Sequence, residues 1–196
     1  MIEIDGSFGE GGGAILRTAS GLSALTGHAF KMNNIRSKRP QPGIKEQHLQ
    51  AIKVMKELCN AEVKGDKLGY SFIEFAPNEI KEKELKIEIR TAGSAALALQ
   101  PLLIAGINHN LNVVIDGGGT WNEHASPVCF LQNVLRPILN RFGYFFEIDI
   151  LNEGFYPRGG ALVNFKTKKC QLSKIDLTSK GKLKEINGWS IASENL

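Results

Sequence analysis

Apolar positions in this chain fall into two kinds of run that alternate in a fixed order. Short alternating stretches such as Ile2-Glu3-Ile4 and Ile87-Glu88-Ile89 have the period of two expected of half-buried strands. Longer runs predict helices: two apolar ones at residues 14–25 and 95–105, and two with i, i+3, i+4 spacing at 47–58 and 127–141. Further strands are predicted at 29–35, 61–63 and 70–75 in the first half, and at 111–115, 144–151 and 161–165 in the second. The order β-α-β-α-β-β therefore occurs twice, at a period of about 80 residues. In each copy two helices are expected to cover a four-stranded sheet, since neither layer buries its apolar side alone. The predicted fold class is α+β, with tandem repeats at residues 1–78 and 84–165 and a polar linker at 76–84. Gly27 and Gly106, which follow the first helix of each copy, predict left-handed C-caps. Residues 166–196 stand outside the repeat; 172–177 and 184–191 predict strands about a turn at Ser179-Lys180-Gly181.

The first predicted strand runs into a chemically unusual loop, Asp5-Gly6-Ser7-Phe8-Gly9-Glu10-Gly11-Gly12-Gly13. Glycines leave backbone N–H groups open and allow a loop to curl around an anion at a helix N-terminus. Glu10 would repel a bare anion. A divalent cation held between Glu10 and a phosphate removes the conflict, with Arg17 neutralising the remaining charge. The plainer reading of the same residues is a glycine-rich turn with an exposed glutamate. Lys31, Arg36, Lys38, Arg39 and Lys45 then form a basic cluster with Glu46 as its adjacent acid. The net charge of +4 permits a polyanionic partner without requiring one. The cluster's place beside the glycine loop favours RNA over a merely solvated face.

Four more segments complete a constellation: 35–49 (IRSKRPQPGIKEQHL), 90–100 (RTAGSAALALQ), 117–122 (GGGTWN) and 154–160 (GFYPRGG). In this order and at these intervals they resemble the RNA 3'-terminal phosphate cyclase family, over roughly residues 1–165. The resemblance implies a large domain of repeats similar to the C-terminal domain of translation initiation factor three. Residues 166–196 would be the incomplete beginning of a small inserted α/β domain. It also implies a ligase that uses ATP and a divalent metal, Mg or Mn, to convert an RNA 3'-phosphate into a 2',3'-cyclic phosphodiester. In that reaction an enzyme histidine takes AMP from ATP and passes it to the RNA phosphate, which the vicinal 2'-hydroxyl then attacks. The family's nucleophilic histidine lies near the C-terminus of longer chains and no residue of this sequence corresponds to it. The 196-residue chain is therefore expected to be inactive alone and to be part of a longer protein.

By motif position, the resemblance assigns Glu10 to the metal. It assigns Arg17, Arg39 and His48 to catalytic support, and Arg36, Arg39, Gln47 and His48 to RNA or phosphate. Gln100 and Pro127 fall at the ATP site. Related cyclases end the segment after Gly118-Gly119-Thr120 in paired prolines, one of which packs on adenine. This chain has Trp121-Asn122-Glu123-His124-Ala125-Ser126-Pro127, so Ser126 or the Trp121 ring is a candidate substitute. A rival within the resemblance is a noncatalytic cyclase-like RNA-binding factor of ribosome assembly. Retention of Glu10, Arg17, Arg39, Gln47 and His48 favours the enzyme. An enolpyruvyl-transferase relative fits the loop and arginine motifs less well.

Composition narrows the setting. Hydrophobic residues at 42% and charged residues at 22% match soluble globular domains. The longest apolar stretch, 95–107, is broken by Gln100 and Pro101 and is too short to span a bilayer. No leader-type pattern opens the sequence, so no membrane partner and a cytoplasmic location are expected. Cys59, Cys129 and Cys170 lack C-x-x-C spacing and are expected to be free thiols. Nothing in the pattern sets an oligomeric state.

Overall fold

The computed structural model describes residues 1–81, 84–188 and 190–192. The first repeat contains β1 (Ile2–Asp5), α1 (Ala14–Thr26), β2 (Phe30–Asn33), α2 (Glu46–Cys59), β3 (Glu62–Lys64) and β4 (Ile73–Ala76). The second begins with β5 (Glu84–Ser94), α3 (Ala95–Ala105), a short 3-10 turn (Gly106–Asn108) and β6 (Asn112–Gly119). It ends with α4 (Val128–Phe130), a π-helical turn (Leu131–Leu135), α5 (Arg136–Arg141), β7 (Phe146–Asn152) and β8 (Leu162–Thr167).

Two four-stranded sheets result, ordered β1-β2-β4-β3 and β5-β6-β8-β7. The two leading strands of each sheet are parallel and the other pairings antiparallel. The sheets thus share one topology, as the sequence repeat predicts. In each sheet one face is buried, by Phe30, Met32, Ile73 and Phe75 in the first and by Ile87, Ile115, Val163 and Phe165 in the second. The other face carries charge, including the pairs Lys64–Glu74 at 3.2 Å and Lys86–Asp116 at 2.9 Å, the usual division for antiparallel and mixed sheets with one wet side.

The helices of the two repeats meet, with α1 and α2 both lying against α3. The sequence of α3, AALALQPLLIA, is apolar all round and most of it is buried, as a helix packed on several sides requires. A Cβ on Gly21 of α1 would come within 2.9 Å of the Pro101 carbonyl oxygen, so the missing side chain sets how closely α1 approaches α3. That approach brings Arg17 of α1 to Gln100 of α3.

Three expectations need correction. Gly27 is left-handed (φ 73), but Gly106 is right-handed (φ −70). Gly106 is required for space instead, because a Cβ there would lie 2.7 Å from Thr167 Cγ2 and 2.8 Å from the Tyr144 hydroxyl. The helix predicted at 127–141 is interrupted by the π turn, where Arg136 N–H reaches back to the Leu131 carbonyl. Pro137 explains the shift: it has no N–H for the carbonyl four residues back, and its ring crowds that carbonyl. Finally, residues 172–177 form no strand, nor do the described residues within 184–191, residue 189 lying outside those described. Cys59, Cys129 and Cys170 are free thiols, as expected. No helix among the described residues is long and apolar enough to cross a membrane.

Candidate phosphate-binding site

Helix α1 begins against a loop that the chain pins from several sides. The Asp5 carboxylate accepts from Ser7 N–H at 3.0 Å, the Ser7 hydroxyl at 2.9 Å and the Asn34 amide at 3.2 Å. These bonds, the Ser7 backbone first, hold its pKa below the ordinary carboxylate value. Gly9 and Gly11 turn left-handed (φ 56 and 60), which only glycine adopts at little cost. Nothing in the spacing marks Asp5 as the brace of this loop.

Two adjacent glycines then decide what stands over the helix N-terminus. A Cβ on Gly12 would lie 3.4 Å from Arg39 Nη2, and one on Gly13 would overlap the His48 ring, 2.5 Å from its Cδ2. The missing side chains leave the space that Arg39 and His48 occupy. His48, in the first turn of α2, is 1% exposed. Its Nδ1 accepts the Lys45 backbone N–H at 3.1 Å, so the neutral ring carries its proton on Nε2. Burial first, then the charges of Arg17, Arg36 and Lys45, push its pKa down to about 4. It is a neutral donor at physiological pH.

Arg17 is buried on α1, and its Nε donates to Gln100 Oε1 at 2.7 Å. Burial lowers its pKa, and burial followed by the Arg39 charge lowers that of Arg36. Arg36 has a left-handed backbone (φ 56) and donates through Nη2 to the Gln41 carbonyl at 3.3 Å. A non-glycine residue there costs about 1–2 kcal/mol, and such strain concentrates at functional positions. Arg39 Nη2 donates to Glu10 Oε2 at 3.1 Å, and Lys38 Nζ to the Gly9 carbonyl at 3.3 Å.

Four buried nitrogens in this neighbourhood have no hydrogen-bond partner: Arg17 Nη1, Arg36 Nε, Arg39 Nε and His48 Nε2. All four are donors, and buried polar groups ordinarily find partners. Their common complement is an acceptor rich in negative charge at a helix N-terminus, the chemistry of a phosphate.

The structure thus gathers Glu10, Arg17, Arg36, Arg39, His48 and Gln100. Gln100 enters as the partner of Arg17, a contact between residues 83 apart in sequence that no local spacing announces. Gln47, though next to His48, lines a separate cavity with Lys45, Gln50 and Thr91. Pro127 caps α4, and its neighbour Val128 donates to the Thr120 carbonyl at 3.0 Å. Ser126 is exposed, while Trp121 Nε1 is buried without a partner. Side chains on Gly117 or Gly154 would collide with the Ile89 and Gly118 carbonyls respectively.

Glu10 is the one carboxylate of the loop's tip, 89% exposed and ion-paired with Arg39. No group of three or more His, Cys, Asp or Glu able to hold a metal occurs among the described residues. A protein-caged cation does not fit. A cation carried mainly by substrate phosphates does, since such Mg sites use one or two carboxylates plus phosphate oxygens and water.

A family model described as RNA 3'-terminal phosphate cyclase matches residues 8–190. The chain is 42% identical over 192 residues to an RNA 3'-terminal phosphate cyclase of Methanopyrus kandleri, covering 97% of this chain and 54% of that protein. It is 47% identical over 165 residues to one of Methanococcoides burtonii (84% and 50%). For one of Saccharolobus islandicus the identity is 43% over 194 residues (98% and 57%). The chain spans about half the length of these curated relatives.

Proposed function

The chain belongs to the RNA 3'-terminal phosphate cyclase family, and from that premise we propose that it supplies the phosphate-holding surface of an ATP-dependent enzyme that cyclises RNA 3'-phosphate ends. The observation that carries this reading is a set of four unpartnered buried donors: His48 Nε2 at Gly13, Arg39 Nε with its guanidinium beside Gly12, and Arg17 Nη1 and Arg36 Nε, whose charges act on His48. A phosphate monoester is a poor electrophile until AMP is attached to it. The protein's work is then to position phosphates and neutralise their charge.

Arg17 and His48 Nε2–H, both buried, donate to phosphate oxygens, and Gln100 fixes the guanidinium of Arg17 in that role. Arg36 and Arg39 receive the RNA end with donor pairs that lysine reproduces poorly. Glu10 would hold a divalent cation, which would offset the negative charge of the phosphates. Arg39 pairs with Glu10 at 3.1 Å and stands beside Gly12, from where it would serve the anion. Pro127 is the residue of this chain assigned to the ATP base. His48 is not assigned as the acceptor of AMP: its Nδ1 is committed to the Lys45 N–H, so the neutral ring carries its proton on Nε2 and has no free lone pair there.

The test is equilibrium binding of a 3'-phosphorylated oligoribonucleotide and its 3'-hydroxyl counterpart. The phosphorylated end is expected to bind about tenfold or more tightly, since charge-assisted hydrogen bonds contribute about 1.5–3 kcal/mol each. Replacing Arg36 and Arg39 together with alanine should flatten the slope of log K against log salt by about 1.4, the value for two lost contacts on a single strand. An unchanged slope would make the basic segment a solvated face. Equal affinity for the two ends would remove the phosphate reading itself.

A further inference from the structure

A cavity of about 260 Å³ opens between the two repeats, where the first turn of α2 faces the end of β5 and the start of α3. Its floor is apolar, from Ile89 and Ala98, and its rim carries the amides of Gln47 and Gln50 and the hydroxyls of Thr91 and Ser94. Gln50 Nε2 donates to Glu46 Oε1 at 3.2 Å, which leaves its own Oε1 to accept. Ser94 Oγ accepts the Leu97 N–H at 3.3 Å, which leaves its proton to donate. Lys45 and Glu46, one charge of each sign, also line it.

This chemistry differs from that of the phosphate site. Charges that cancel give no reason to hold a second phosphate, whereas an apolar floor with a few donors and acceptors suits a flat, neutral, polar-edged group. The volume falls just under the range of about 300–1,000 Å³ for pockets that enclose drug-sized ligands, so the occupant is smaller. The two places are also joined. Lys45 holds His48 through its backbone and lines the cavity, and Gln47 and His48 are neighbours on one helical turn, one at the cavity and one at Gly13. Ser94, the N-cap of α3, and Ala98 on it line the cavity, while Gln100 of the same helix holds Arg17.

We propose that this cavity receives the 3'-terminal nucleoside of the RNA, whose own phosphate lies at Gly13, so that the enzyme grips base and phosphate as one unit. The proposal rests on the phosphate reading above. Single-stranded RNA is recognised through the edges and faces of splayed bases, and amides that both donate and accept can satisfy any of the four. The residues of this chain that the resemblance assigns to ATP, Gln100 and Pro127, do not line the cavity, which favours the RNA nucleoside over that of ATP.

The experiment compares, on the unaltered chain, a 3'-phosphorylated oligoribonucleotide with one whose terminal nucleotide lacks its base. The intact terminus is expected to bind about tenfold more tightly, the effect of one or two hydrogen bonds to the base edge. Gln50→Trp, which fills the cavity from a half-buried position, should abolish that difference and leave the affinity for inorganic pyrophosphate unchanged. Circular dichroism confirms that the variant is folded; the comparison on the unaltered chain does not depend on it. Equal binding of intact and abasic termini overturns the proposal. So does a Gln50→Trp variant that loses ATP and keeps RNA, which would give the cavity to the nucleoside of ATP. If the unaltered chain ignores pyrophosphate yet prefers the intact terminus, the phosphate reading fails and the joint grip with it, while the cavity is still shown to take the base.

Discussion

Gly13→Ala is expected to lower stability by about 1–3 kcal/mol, the usual cost of overpacking a filled site, and to weaken pyrophosphate binding at least tenfold. One methyl group has this leverage because of where it would go. The backbone at Gly13, the N-cap of α1, is right-handed (φ −67), so alanine meets no φ penalty, although it caps less well than glycine. The larger part of the effect comes from the collision with the His48 ring. That ring cannot simply swing aside, being 1% exposed and tied through Nδ1 to the Lys45 backbone. Either the ring moves and takes Nε2 from the phosphate position, or α1 moves and takes its N-terminal N–H groups with it. The double variant Gly13→Ala, His48→Ala separates steric conflict from general damage. With the ring removed the methyl has room, so the pair should be less unstable than the sum of the singles. Thermal melts of the four proteins measure this. A single variant as stable as the parent, with undiminished pyrophosphate binding, would show that His48 does not stand over the helix as described.

The architecture was legible because it depends on short-range periodicity. Alternation in Ile2-Glu3-Ile4 and Ile87-Glu88-Ile89, and the helical runs after each, repeat in the order that both sheets adopt. Much of the site was legible for a related reason. Glu10, Arg17, Arg36, Arg39 and His48 lie in segments whose glycines, prolines and charges are unusual in themselves. What stayed hidden depends on contacts across the fold. Gln100 was placed at the ATP site by the resemblance, but its partner Arg17, on the other repeat's helix, was not legible. The role of Gly12 and Gly13 as seats for Arg39 and His48 was masked by the more general use of glycine in anion loops. Gly106 was assigned by its position after a helix, although crowding by Thr167 and Tyr144 is what demands it. The strands predicted at 172–177 and 184–191 had local alternation alone. A strand needs a neighbouring strand to satisfy its backbone; among the described residues Ser173 N–H meets the Phe142 carbonyl at 2.8 Å, which lies in no strand.

A second large effect is expected on acidification. A histidine held neutral by burial and by Arg17, Arg36 and Lys45 takes up its proton more readily in the unfolded chain than in the folded one. The stabilisation from keeping it neutral is complete above its ordinary pKa of 6.5 and is lost as pH falls toward the folded value of about 4. At about 1.4 kcal/mol per pH unit that interval corresponds to about 3 kcal/mol. Asp5, whose pKa is lowered from 3.8, acts in a lower window, so the fall in stability between pH 6.5 and 5 reports on His48. Urea melts across this range should show it, and His48→Gln, which removes the titration, should flatten it. An anion at Gly13 changes the sign of the local field and raises the pKa of the ring. Sulfate, a dianion throughout this range, should therefore bind more tightly as pH falls from 7 to 5 and reduce the acid destabilisation of the parent. In His48→Gln the affinity for sulfate should be nearly independent of pH. The same pH dependence in parent and variant would mean that the imidazole and the bound anion do not meet, and His48 would then be only a buried brace for the first turn of α2.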